Sequence, residues 1–156
     1  MPNPARPPMT RSEVMSRVRG KDTKPEMIIR RGLHSRGFRY RLHDKKLPGR
    51  PDIVLPRWGA AIEVRGCYWH GHRGCGRIPK TRREFWGPKI AGNRERDARN
   101  EAALLGAGWR LLIVWECCLV GTGRWDREEL LDQIAEWVRN GREFLELEGA
   151  GASEVT

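Results

Sequence analysis

Residues 49–75 constrain the chain more than any other stretch. Gly49-Arg50-Pro51-Asp52 leads into two short β-prone runs, 52–55 and 60–64, separated by the turn-forming Pro56-Arg57-Trp58-Gly59. Side chains alternate along a strand, so Ile62 and Val64 take one face of the second run and Glu63 and Arg65 the other. A carboxylate and a cation on one strand face, beside Asp52 on its neighbour, suit metal-dependent cleavage of a phosphodiester. The carboxylates would hold magnesium, the ion would activate water and stabilise charge on the phosphate, and the cation would support both. The same three residues also fit an ion pair on a solvated face, and alone they do not separate the two readings.

The second half of the stretch adds softer ligands. Cys67-x4-His72-x2-Cys75 supplies three zinc-type ligands, and Cys117-Cys118 offers a fourth far down the chain. A tetrahedral site needs four, so closure by Cys117 is the economical arrangement, with the role of Cys118 open. The plain alternative is a set of buried free thiols. His70 lies between the ligands and reads as spare, available as a general base near the carboxylates. Tyr68 and Trp69 stand between the two ligand sets.

Charge narrows the partner. A formal net charge of +10 over 156 residues points to a polyanion, most simply nucleic acid. Arginine dominates the positive charge and stands among seven tryptophans. Guanidinium forks for phosphates beside stacking rings fit nucleic acid better than a membrane surface. No apolar run is long enough to cross a bilayer, and the first residues do not read as a signal peptide. Four cysteines at metal-like spacing then fit a reducing cytoplasm.

The rest of the chain reads as one domain, 10–142, between a proline-rich tail (1–9) and a C-terminal tail (143–156) that is expected to be mobile beyond Leu147. Residues 10–20 form a basic arm that would order on DNA. Thr23-Lys24-Pro25-Glu26 is a capping box, with Glu26 read first as a cap, and opens a helix to about Arg36. Residues 38–42 alternate as a strand with a basic face. Pro88 is expected to start a helix to about Leu105, with Lys89, Asn93, Arg96, Asp97 and Asn100 on a polar face, either solvated or reading base edges. The apolar run 109–115 is a buried central strand that returns Cys117 to the zinc ligands. Asp126-x-x-Glu129 caps a last helix. These elements make an α/β fold, a three-layer α/β/α sandwich with a mixed central sheet.

Four motifs carry a resemblance. Pro48-Gly49-Arg50-Pro51-Asp52, Gly66-Cys67-Tyr68-Trp69-His70-Gly71-His72, Pro79-Lys80-Thr81-Arg82-Arg83-Glu84-Phe85-Trp86 and Gly108-Trp109-Arg110-Leu111-Leu112-Ile113-Val114-Trp115-Glu116-Cys117 resemble, in order and spacing, the very short patch repair (Vsr) endonucleases. The resemblance implies a restriction-endonuclease-like fold and an enzyme that nicks double-stranded DNA beside thymine–guanine mispairs, and nothing in the sequence demands more than a monomer. Such mispairs arise by deamination of 5-methylcytosine, so a cytosine-5 DNA methyltransferase would be its functional partner. It further implies that Asp52 is the principal Mg2+ ligand with the Val64 carbonyl nearby, that His70 is the base, and that Glu26 supports the site. Cys67, His72, Cys75 and Cys117 would hold a structural Zn2+. Tyr68, Trp69 and Trp86 would wedge into the base stack, where a mispaired step costs less to open, and Met15, Lys89 and Asn93 would touch the mispair.

One position departs from the pattern. The resembled enzymes usually carry a histidine just before the glycine that stands here as Gly66, and this chain has Arg65. Arginine cannot accept a proton, although it can clamp a phosphate. Glu63 restores the second acid of the general PD-(D/E)xK pattern. The expectation is that Asp52 and Glu63 bind metal jointly and that proton removal falls to His70 or to water on the cation. The rivals are a PD-(D/E)xK nuclease of different specificity and a zinc-stabilised DNA-binding module without catalysis.

Overall fold

The computed structural model describes residues 23–68, 70–72 and 83–150, and for 83–86 the backbone alone. The expected tail 1–9, the arm 10–20 with Met15, the side chain of Trp86, and Trp69, Cys75 and residues 151–156 lie outside the described residues.

Helix α1 (Lys24–Ser35) starts as its residues dictate. The Thr23 hydroxyl accepts from the Glu26 N–H at 3.4 Å, and Pro25 sits in the first turn, where its missing N–H costs nothing. Gly37, at φ +88°, ends it in a left-handed conformation. Strand β1 (Arg41–Leu42) is shorter than the alternation of 38–42 suggests. Phe38 is drawn instead into the core against Trp58, ring centroids 5.8 Å apart. Strands β2 (Ile53–Leu55) and β3 (Ala60–Arg65) follow as an antiparallel pair about a 3-10 turn and Gly59.

Helix α2 (Arg83–Gly106) begins five residues before the expected Pro88, which lies inside it. So close to the start, the proline forfeits one hydrogen bond to the preceding turn without ending the helix. Strand β4 (Arg110–Trp115) runs parallel to β3. Helix α3 (Arg127–Asn140) opens at Asp126, whose carboxylate accepts from the Glu129 N–H at 3.1 Å. Strand β5 (Phe144–Leu147) then pairs parallel to β4, completing a mixed sheet of order β1-β2-β3-β4-β5. Here the expected C-terminal tail 143–156 needs correction. A four-residue strand with one buried side chain carries too little periodicity to be read, yet it satisfies the outer edge of β4.

Alternation along the strands sorts the side chains into two cores. Ile62, Leu112 and Val114 pack with Ile29 and Leu33 of α1 and Leu130 and Ile134 of α3. Ala61, Leu111, Ile113 and Trp115 face the other way, onto Leu104 of α2. The result is the expected three-layer sandwich. Each fully buried leucine or isoleucine of β4 contributes about 1.5–3 kcal/mol. Arg110 ties the layers together: its guanidinium donates to the carbonyls of Trp58, Trp137 and Val138 and lies 4.9 Å from the centroid of the Trp137 ring.

Candidate active site and metal centre

A cavity of about 440 Å³ opens where β1, β2 and β3 meet α2. Asp52 stands one residue before β2 and points into it. Its Oδ2 accepts the Val64 N–H at 2.7 Å, which anchors the carboxylate between the two strands. His43, the residue after β1, is its cross-strand neighbour, and the His43 N–H donates to the Asp52 carbonyl at 3.1 Å. His43 and Arg50, both lining the cavity, hold left-handed φ angles of +47° and +49°. Side chains other than glycine adopt these at a cost of about 1–3 kcal/mol, and such strain gathers at working sites.

Glu26 reaches the same place from α1. Its backbone N–H receives the Thr23 cap, but its carboxylate, 1% exposed, turns inward. It meets His43 Nε2 at 3.0 and 3.1 Å and accepts from Arg30 at 3.1 Å. One ligand atom each from Glu26, His43 and Asp52 lie within 4.8 Å of one another. Burial, opposed by the Val64 N–H and reinforced by Glu26 and Glu63, pushes the Asp52 carboxyl up to about 8. Buried negative charge in excess is what a divalent cation relieves, so the donor set fits one.

Glu63 and Arg65 share one face of β3, as their spacing requires, but that face lies beneath α2 rather than in solvent. Arg65 meets Glu63 at 2.6 Å, Glu101 at 2.6 Å and Asp97 at 3.9 Å, with its guanidinium 5.8 Å from the Trp115 ring centroid. Burial opposes its charge, and the three carboxylates outweigh that and raise its pKa. Arg65 is thus engaged by acids and 4% exposed, a poor position for clamping a phosphate. Glu63 lines the cavity, with its carboxylate turned to Arg65. Burial raises its pKa and Arg65 draws it partly back. The ligand atoms that gather within 4.8 Å of one another at Asp52 are those of Glu26 and His43, while Glu63 lines the same cavity with its carboxylate turned to Arg65.

His70 lines the same cavity. Its Nδ1 lies 2.6 Å from Asp97 Oδ2, and its ring sits edge-on to Trp115, centroids 6.5 Å apart. Asp97 and Asn100 come from the polar face of α2, which is turned to the cavity rather than only to solvent. From the sequence alone Asp97 belongs to that face with no partner in view, and His43 goes unmarked, because a lone histidine in a charged loop carries no local signal.

The softer ligands also assemble. One ligand atom each from Cys67, His72 and Cys117 lie within 4.8 Å of one another, and Cys117 Sγ is 3.7 Å from His72 Nδ1. Ligands at zinc bond lengths on a tetrahedron stand about 3.6 Å apart, so this set fits zinc. His72 Nε2 faces Glu148 at 2.8 Å, the Gly149 N–H donates to Cys117 Sγ at 3.1 Å, and the His72 ring stacks on Trp115 at 4.2 Å. Cys118 packs into the opposite core, with residues of α1 and α3. A tight turn spans the ligands: the His72 N–H donates to the Cys67 carbonyl and the His70 N–H to the Gly66 carbonyl. The loop that gathers the soft ligands thus carries His70. Tyr68 lies half-buried in this turn, and Lys89 and Asn93 lie on the first half of α2.

Acids and an imidazole gathered at the ends of strands, on a mixed sheet enclosed by helices, belong to the restriction-endonuclease-like class of nucleases. The profile described as DNA mismatch endonuclease Vsr matches residues 6–76. The chain is 52% identical to the type II nicking enzyme V.XorIIP of Xanthomonas oryzae pv. oryzae over 118 residues, 74% of this chain and 86% of the relative. It is 46% identical to the type II nicking enzyme V.NmeAIP of Neisseria meningitidis serogroup A, covering 69% of this chain and 77% of that one. It is 41% identical to the DNA mismatch endonuclease Vsr of Escherichia coli K12, covering 83% of each. The chain belongs to the Vsr family of DNA mismatch endonucleases. Among the described residues no helix is long and apolar enough to cross a membrane.

Proposed function

We propose that this endonuclease hydrolyses one phosphodiester beside a thymine–guanine mispair in duplex DNA, using Asp52, His70 and Asp97. The observation that carries the reading is the His70–Asp97 pair at 2.6 Å, opening on the same cavity as the anchored Asp52. Asp97, accepting from Nδ1–H, leaves His70 Nε2 as the free acceptor of a proton from attacking water. Asp97 is then a positioning residue. Asp52, supported by Glu26 and with the Val64 carbonyl nearby, would hold Mg2+. When bound, that ion supplies positive charge to the phosphate as its oxygens gain negative charge. Cys67, His72, Cys75 and Cys117 would hold Zn2+ in a structural role that keeps His70 in place.

Tyr68, Trp69 and Trp86 are assigned to the wedge by resemblance, and Met15, Lys89 and Asn93 to contacts at the mispair. A mispair from deaminated 5-methylcytosine makes a cytosine-5 methyltransferase the functional partner, and chromosomal DNA as substrate fits a cytoplasmic enzyme that can act as a monomer. The test is strand nicking in magnesium on labelled duplexes that differ only in T:G against T:A. Nicking confined to the T:G duplex is expected. Equal nicking of both would favour a nuclease of other specificity. Tight T:G binding without nicking would mean that Arg65, in place of the usual histidine, has cost the site its chemistry.

A further inference from the structure

We propose that His43 is a direct ligand of the catalytic cation, completing a Glu26–His43–Asp52 site with one nitrogen and two oxygen donors. This would favour divalent first-row transition ions over Mg2+. The proposal rests on the cation site read above at Asp52 and adds to it a residue that neither the motifs nor the spacing of the chain assign.

The geometry points to ligation as well as to an ion pair. His43 Nε2 lies 3.0 Å from Glu26 Oε1 and 3.9 Å from Asp52 Oδ1. Neighbouring ligands on an octahedral ion with bonds of about 2.1 Å stand about 3.0 Å apart. The three donors come from three elements. Glu26 is fixed by α1, whose cap holds its backbone. Asp52 is fixed by the Val64 N–H. His43 is fixed by its own backbone bond to Asp52 and by a left-handed φ that turns its imidazole towards both acids. An all-oxygen set suits Mg2+, whereas imidazole suits later transition ions, so the nitrogen changes which ion the site prefers.

The experiment uses the full-length chain with zinc in its own site and Mn2+ as the probe. Titration followed by electron paramagnetic resonance counts bound Mn2+, and pulsed measurements detect a directly bonded imidazole nitrogen. One Mn2+ with nitrogen coupling is expected. His43→Gln keeps an amide next to Glu26 but removes the ring nitrogen. It should lose the coupling and weaken Mn2+ at least about tenfold, since losing even an outer partner of a ligand costs about 10–100-fold. Mg2+ affinity should change less, so the preference for Mn2+ narrows. His70→Ala should keep the coupling.

Bound Mn2+ without nitrogen coupling in the unmutated protein overturns the proposal whatever the variants do. So does coupling that survives His43→Gln or disappears in His70→Ala. Asp52→Asn separates the two readings. Mn2+ binding that survives it would place the cation elsewhere and sink the site read above. A loss of Mn2+ on Asp52→Asn, together with unchanged binding by His43→Gln, would leave that site standing and remove only His43.

Discussion

Two residues show how burial decides what a charge does. The Asp52 carboxyl titrates near 8 in the native chain against about 4 unfolded. Between those values the native state holds a proton that the unfolded state releases. Stability is therefore lost as pH rises through that window. In magnesium-free buffer Asp52→Asn should be more stable than the unmutated protein at pH 8, by on the order of a few kcal/mol. At pH 4 the two should be nearly equal, and urea unfolding at the two pH values checks this. Arg65 illustrates the opposite case, a buried cation among Glu63, Asp97 and Glu101. Arg65→Ala leaves that acidic cluster without its cation and should cost about 3–5 kcal/mol in the same assay, because removing one partner strands the others. A loss below about 1 kcal/mol would mean that the acids are neutralised by protonation instead.

Between elements, two contacts set the architecture around the site. Gly32 of α1 abuts Leu131 of α3 so closely that a methyl group there would overlap the leucine side chain. Leu131 is itself buried, so it has little room to yield. Gly32→Ala should therefore destabilise by about 1–3 kcal/mol, despite alanine's better helix propensity, and a stabilised variant in thermal unfolding would show that α1 and α3 can part. The second contact joins the end of β5 to the soft-ligand loop, through Glu148 on His72 Nε2. A carboxylate in that place would hold the imidazole in the Nε2–H tautomer and leave Nδ1 for the proposed zinc. Glu148→Gln should weaken zinc about 10–100-fold in competition with a chromophoric chelator. Unchanged affinity would make the contact a surface ion pair only.

For the whole molecule, a net charge of +10 favours phosphate attraction as a large share of its affinity for a duplex. Each phosphate neutralised adds about −0.9 to the slope of log K against log salt. If stacking at the mispair, rather than extra phosphate contact, supplies selectivity, matched and mismatched duplexes should give parallel salt plots with a vertical offset. A steeper slope for the mismatched duplex in fluorescence anisotropy would assign selectivity to charge.

What the residues alone determined is whatever neighbours within a few positions can encode. The Thr23 cap, the alternation of β3, the apolar run of β4 and the spacing of Cys67 and His72 were all legible, and each appears in the fold. The soft-ligand trio was legible with Cys117 because few other residues have that chemistry. What tertiary structure decided lies where the meaning of a residue depends on a partner far along the chain. His43 gains a role only when β1 lies beside β2 and α1 delivers Glu26 from 17 residues away. Asp97 gains one only when α2 covers the sheet and brings it to His70, 27 residues distant. Arg65 passes from a solvated or phosphate-facing cation to a buried one for the same reason. Strand β5 was hidden because four residues, only one of them buried, leave too little surface covered to set a period, and only the open edge of β4 gives them a place.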